Sequence, residues 1–223
     1  MHASITAILS LSLVSGFAAA ANIKCSPYYT GQFLAFEPDF ETTVPAGFVN
    51  GVTDPQGRKI VAISNAGKAP NAVAMTFHRC SSKYMPSGVT SSKAADIYYG
   101  IVTPAHHTDK CLTLSSVRKA SGPTYVVSST CNPNDTVEAQ LPQWFSLTEQ
   151  GSFKDPNVLD RYVSVVGSPN TTSTAVNYGF YSLQAFKSKN TKAQLNGKVT
   201  FLEYVWTPTY NGMAYTFGLG KPL

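Results

Sequence analysis

The segment Lys110-Cys111-Leu112-Thr113-Leu114, followed by Val126-Val127-Ser128-Ser129-Thr130-Cys131 and then Gln143-Trp144-Phe145, decides how this chain is read. Two cysteines close a short loop, an apolar run stands beside each, and an aromatic run follows. Short runs of this kind, bounded by turn residues, are strands of a β unit rather than turns of a helix. Whether that unit recurs decides the architecture.

It does recur. Three hexapeptides align: Gly31-Gln32-Phe33-Leu34-Ala35-Phe36, Asp109-Lys110-Cys111-Leu112-Thr113-Leu114 and Asp160-Arg161-Tyr162-Val163-Ser164-Val165. Each has two polar or turn residues, two apolar ones, a small residue and a final apolar one. A second run follows in each copy (residues 73–77, 125–127 and 180–183), and a third, aromatic run ends it (97–101, 144–147 and 204–206). Three copies of one multi-strand unit predict an all-β fold, a β-trefoil of three unequal repeats at about 24–104, 109–149 and 160–208. The repeats share a single domain, 21–223, in which the first copy carries a long insertion between Phe36 and Val73. Ala214–Leu219 is expected to close the barrel, which leaves no unpaired edge. A two-sheet sandwich fits the strand spacing but not the threefold recurrence.

Composition agrees with an all-β chain. Charged residues make up only 13% of the sequence, and Gly or Pro interrupts it at short intervals. The apolar run from Ile5 to Phe17 has no acidic residue and leads into Ala18-Ala19-Ala20-Ala21. This reads as a secretory signal peptide over 1–20, and its core is shorter than the ~20 residues a spanning helix needs. An extracellular protein with no membrane span is expected. In an oxidising compartment the four cysteines, Cys25, Cys80, Cys111 and Cys131, can pair in three ways. The local pairing, Cys25 with Cys80 and Cys111 with Cys131, keeps each bridge inside one repeat and is the one expected. Closing the Cys111 to Cys131 loop would then contribute ~3 kcal/mol by chain entropy. Asn134-Asp135-Thr136 and Asn170-Thr171-Thr172 are glycosylation sequons. The net charge of +5 is scattered except for Lys187, Lys189, Lys192 and Lys198, which points away from nucleic acid as a partner.

The middle copy, Lys110 to Leu147, resembles the repeat of ricin-B-type lectins, where a Cys-Leu strand, a second cysteine and a Gln-x-Trp motif recur in that order. Here Pro142 stands where the family has its glutamine, and Gln143 is adjacent to Trp144. The resemblance implies a secreted, non-catalytic carbohydrate-binding module without a cofactor. In that family an aspartate after Cys-Leu and an asparagine before the tryptophan hold sugar hydroxyls, and an aromatic ring two before the second cysteine stacks on the sugar. The corresponding residues are Thr113, Leu141 and Ser129, with Ala35 and Ser164 at the aspartate position of the outer copies. His78, two before Cys80, occupies the aromatic position of the first copy. Thr113, Ser129, Asn132 and His78 are therefore the candidate ligand-binding residues. The partner expected is a glycan or polysaccharide, or alternatively a secreted protein engaged by the Pro38–Lys59 or Pro86–Lys93 segment, as in a trefoil protease inhibitor.

Catalytic constellations are sparse. Adjacent His106 and His107 with Asp109 point to opposite faces of an extended segment and are poorly placed to share a metal ion. Glu37, Asp39 and Glu41 are spaced to line one strand face as in a glycoside hydrolase, but Pro38 and like-charge repulsion favour an acidic loop. No Gly-x-Ser-x-Gly elbow is present.

Overall fold

Period-two alternation sorts the side chains of the longest strands into an inward and an outward row. Phe33 and Ala35, Met75 and Phe77, and Phe145 and Leu147 are fully buried pairs, each separated by one residue facing the other way, and Val163 and Phe217, also fully buried, are cross-strand partners. The computed structural model behind these observations describes residues 21–64, 73–117, 124–152, 155, 158–166, 180–185, 199–207 and 215–222. The leader 1–20, the sequon at Asn170 and the cluster Lys187, Lys189, Lys192 and Lys198 lie outside them.

The fold is all-β. Six strands form a closed barrel: β1 (Lys24–Phe36), β4 (Ala74–Ser81), β6 (Ala95–Pro104), β9 (Phe145–Gly151), β10 (Leu159–Val165) and β13 (Thr216–Leu219). Each is antiparallel to the next, and β13 returns to β1 with Phe33 opposite Leu219 and Phe36 opposite Thr216. Three hairpins interrupt the staves: β2 (Thr43–Thr53) with β3 (Lys59–Ser64), β7 (Lys110–Leu114) with β8 (Thr124–Thr130), and β11 (Phe180–Ala185) with β12 (Val199–Thr207). Pairings of β3 with β8, β12 with β8 and β12 with β3 join the hairpins to one another. Since β1, β6 and β10 run into a hairpin and β4, β9 and β13 run out of one, all three hairpins sit at the same end of the barrel. A short strand, β5 (Val89–Ser91), pairs with β6 beyond the point where β4 leaves it.

Two expectations shift. The stretch between Phe36 and Val73 is not an addition to the unit, because it holds the β2–β3 hairpin, which pairs with the other two hairpins. The three aligned hexapeptides fall on β1, β7 and β10, of which β7 is a hairpin strand and not a stave. All three strands share one pattern of apolar residue types, although β7 is buried on both faces, so the sequence pattern alone does not separate stave from hairpin.

The main core fills the barrel, with Phe33 stacked on Phe217 at 4.9 Å between ring centroids. A second cluster lies outside it and gathers Cys80, Met85, Ile101, Cys111, Leu141 and Trp144. Trp144 is fully buried there, and its Nε1 donates to the Pro86 carbonyl at 2.9 Å. Both disulfides form as expected, Cys25 to Cys80 and Cys111 to Cys131. Gly100 lets β6 pass close to β4, since a Cβ there would lie 1.9 Å from the His78 carbonyl oxygen. In the β2–β3 turn the buried Asp54 accepts from the backbone of Gln56 and Arg58 and from Arg58 Nε at 2.7 Å. Burial pushes its carboxyl up, but the Arg58 hydrogen bonds and charge outweigh that and leave it below the usual range. Arg58 Nη2 also reaches the Ser115 carbonyl at 3.3 Å, tying the first hairpin to the second.

Trp144→Ala is expected to lower stability by about 3–5 kcal/mol in chemical denaturation, as for other buried aromatics, with Trp144→Phe intermediate. His78, on the outer face of β4, shares a 2.9 Å hydrogen bond with Thr103 Oγ1, and burial holds its imidazole below the ordinary value of 6.5. The folded state then binds this proton less readily than the unfolded one. Stability contributed by neutral His78 is full above about pH 6.5 and is lost as the pH falls from there toward the folded value. Melting temperature is expected to fall more between about pH 7.5 and 5.5 for the native chain than for His78→Gln. Equal slopes would remove His78 as the cause.

Candidate functional site

Of the residues singled out for a ligand, Thr113 and Ser129 lie on the same face of the second hairpin, where Cys111 is opposite Ser129 and Thr113 opposite Val127. Thr113 is only 8% exposed and its Oγ1 donates to the Cys111 carbonyl at 3.2 Å, so its hydroxyl is turned into the fold. Ser129 is half-buried, and Asn132 stands exposed just past the strand. His78 makes its hydrogen bond to β6, not to the β7–β8 loop.

What the sequence reading missed at this loop is the role of two glutamines. Gln143 is 2% exposed; its Nε2 donates to the Asn132 carbonyl at 2.6 Å and its Oε1 accepts from Asn132 N at 3.1 Å. Gln140, fully buried, donates to the carbonyls of Asn132 and Asn134 at 2.8 and 2.7 Å. Both sit on a helical turn, α1 (Val137–Gln140), and the 3-10 turn Leu141–Gln143 that follows it, with Thr136 as N-cap. The glutamine beside the tryptophan thus fastens the backbone after the second cysteine, and that backbone in turn pairs with the chain ahead of β1 through Ile23 N to Pro133 O at 2.9 Å. Asn134 is exposed.

The acidic triplet does not line a strand. Glu37, Asp39 and Glu41 belong to the turn between β1 and β2, where the Asp39 carboxylate accepts from Glu41 N, Thr42 N and Thr42 Oγ1 at 2.8–2.9 Å. His106, His107 and Asp109 lie in the turn between β6 and β7. Among the described residues no group of three or more His, Cys, Asp or Glu side chains is placed to hold a metal ion.

The loop from Ser82 to Lys93 is anchored at its start and exposed beyond it. Buried Asp135 accepts from Ser82 Oγ and from Lys83 N, Ser82 Oγ in turn accepts from Tyr84 N and Met85 N, and Met85 is buried. Past the Trp144–Pro86 hydrogen bond the chain is exposed from Pro86 to Lys93, with Val89 at 43%.

A layer of polar and aromatic side chains finishes the barrel at the end away from the hairpins. A bulge in β1 between Pro27 and Tyr29 turns consecutive residues Tyr28 and Tyr29 toward the interior side, where strict alternation would have turned one away. Tyr28 lies 4.5 Å from Tyr98, centroid to centroid, and its hydroxyl donates to Glu149 Oε2 at 2.8 Å. Arg161 Nε donates to Glu149 Oε1 at 2.7 Å while its guanidinium covers the Tyr29 ring at 3.8 Å. Tyr29 donates to the Gly220 carbonyl at 2.8 Å. Arg79 is stacked over Tyr28 and Tyr98 at 5.2 and 4.8 Å. Burial, then the hydrogen bonds with Tyr98 and Glu149, raise the Tyr28 hydroxyl well above its ordinary value, so it remains a donor. The signal for this layer is present in sequence: Met75-x-Phe77-x-Arg79, Phe145-x-Leu147-x-Glu149 and Arg161-x-Val163 each end an inward apolar row on a charge. Among the described residues no helix is long and apolar enough to cross a membrane.

No family model, curated protein or solved structure matches this chain.

Proposed function

We propose that this chain is a secreted, non-catalytic carbohydrate-binding protein built on a β-trefoil of the ricin-B type. The observation that carries the reading is the order of the strands: pairs of staves, each pair enclosing one hairpin, with the three hairpins paired to one another at one end. A trefoil has that arrangement, and the disulfide-closed loop followed by buried Gln143 and Trp144 fits the ricin-B repeat within it. Two disulfides together with the apolar leader favour an extracellular location, and exposed Asn134 suits a glycan-bearing surface. With Thr113 turned inward, the sugar contacts of the family are not the ones this chain would use. Fold analogy sets the ligand class here, so the weight rests on direct binding.

A second reading has its own support in the Pro86–Lys93 loop, which is exposed yet held at its base by Trp144, Met85 and the Asp135 carboxylate. A loop ordered before contact loses little entropy on binding, which suits insertion into a protein cleft such as that of a secreted protease.

The mature protein, with both disulfides intact, is expected to give saturable, concentration-dependent binding on a broad glycan and polysaccharide panel. A flat panel alongside inhibition of secreted proteases, lost when residues 87–92 are replaced by a Gly-Ser linker, would replace the first reading by the second.

A further inference from the structure

Beyond the mouth of the barrel, β1 and β4 continue as a two-stranded ribbon. The register Lys24 to Ser81, Cys25 to Cys80 and Ser26 to Arg79 sends the bridged cysteines to the outer face. Lys24, Ser26, Arg79 and Ser81 therefore share the face that continues the barrel interior, and all four are exposed. β6 accompanies β4 only as far as the pair Arg79 and Gly100. The ribbon thus presents two cations and two hydroxyls on one ledge beside the tyrosines of the mouth.

Arg79 is the distinctive member. Its guanidinium rests on two rings that are themselves packed together, and among the described residues no carboxylate is paired with it. Stacking on a ring holds a guanidinium in place while leaving its N–H edges free for a planar anion. Carboxylates at this end of the barrel are engaged elsewhere: Glu149 by Arg161 and Tyr28, Asp160 by the Tyr162 hydroxyl, and Asp135, at the base of the 82–93 loop, by Ser82 and Lys83. Asp96, opposite Glu149, is two residues from Tyr98 on β6, farther along that strand from the Arg79–Gly100 pair. Lys83, two residues past Ser81, and Lys221, whose carbonyl accepts from Gln32 N at 3.2 Å, add positive charge around this end.

We propose that this ledge binds acidic polysaccharide, with Arg79 gripping a carboxylate or sulfate group through paired N–H donors and Lys24, Ser26 and Ser81 completing the contact. The inference rests on the carbohydrate-binding reading and names its ligand class and its surface. Sulfate and uronate carboxylate share the chemistry that Arg79 recognises.

The test measures binding of the full mature chain to heparin, which carries sulfate, to polygalacturonate, which carries carboxylate alone, and to a neutral glycan from the panel. Binding to at least one polyanion is expected, weakening as salt rises. Arg79→Gln should weaken it by about tenfold or more, the scale of a lost charge-assisted contact, with Arg79→Lys between the two. Lys24→Gln, at an exposed position whose side chain makes no hydrogen bond or ion pair among the described residues, should weaken it about twofold to fivefold and keeps the test valid if the Arg79 variants fail to fold. Polyanion binding indifferent to both positions overturns the ledge, as does preferential capture by phosphatidylserine vesicles over both polysaccharides. Neutral glycan bound without either polyanion overturns this inference and leaves the broader reading intact. Failure on all three ligands overturns both.

Discussion

Antiparallel pairing of β13 with β1, from Phe33 opposite Leu219 to Phe36 opposite Thr216, joins the last described strand to the first and turns a sheet into a barrel. Once closed, every stave has a neighbour on each side, so no backbone edge of the barrel is left as a template for another chain. Closure also fixes which side chains are inside: a residue's parity along its strand decides its environment, and a slip of one residue anywhere would turn an apolar row out to solvent. The ends remain. Three hairpins cover one of them, and at the other the chain relies on side chains, which is why an Arg–Glu–Arg–Tyr layer stands where the apolar rows stop.

Much of this could be read from residues alone, and the reasons it could are physical. Short apolar runs between turn residues identified parts of β1, β4, β6, β9, β10 and β13 as strands, and the locality of the cysteines gave both bridges. Equivalence between copies was harder to read, because Lys110–Leu114 in a hairpin buries its apolar residues as Phe33–Phe36 in a stave does, and the residue types alone do not say which core they enter. Glu37, Asp39 and Glu41 matched a strand spacing, yet Asp39 prefers to bond the backbone two and three residues on, which makes a turn. Gln143 was visible as part of a motif, but its partner is a main-chain carbonyl, and no sequence pattern records where a carbonyl will point.

The second cluster, around Trp144, links features that are far apart in the chain. Its indole fixes Pro86, its neighbours include a cysteine from each bridge, and the adjacent glutamines hold the segment that pairs with residues 21–23. A single buried ring therefore supports the base of the exposed 86–93 loop and the turn that carries Asn134. Surface elements with different prospects for recognition share one foundation, which lets the loops vary while their roots stay in place.

The bulge at Tyr28 has a covalent counterpart. Counting back from Tyr29, Gly31 and Phe33 on the inward row of β1, an unbroken strand would also turn Cys25 inward, while Cys80 on β4 faces out. One extra residue reverses the parity of everything before it, and only then do the two sulfurs meet across the ribbon. The Cys25–Cys80 bond is thus a chemical record of backbone register. A chain that oxidises at this pair has counted its first strand correctly, and a thiol left free there would report a strand laid down one residue out of step.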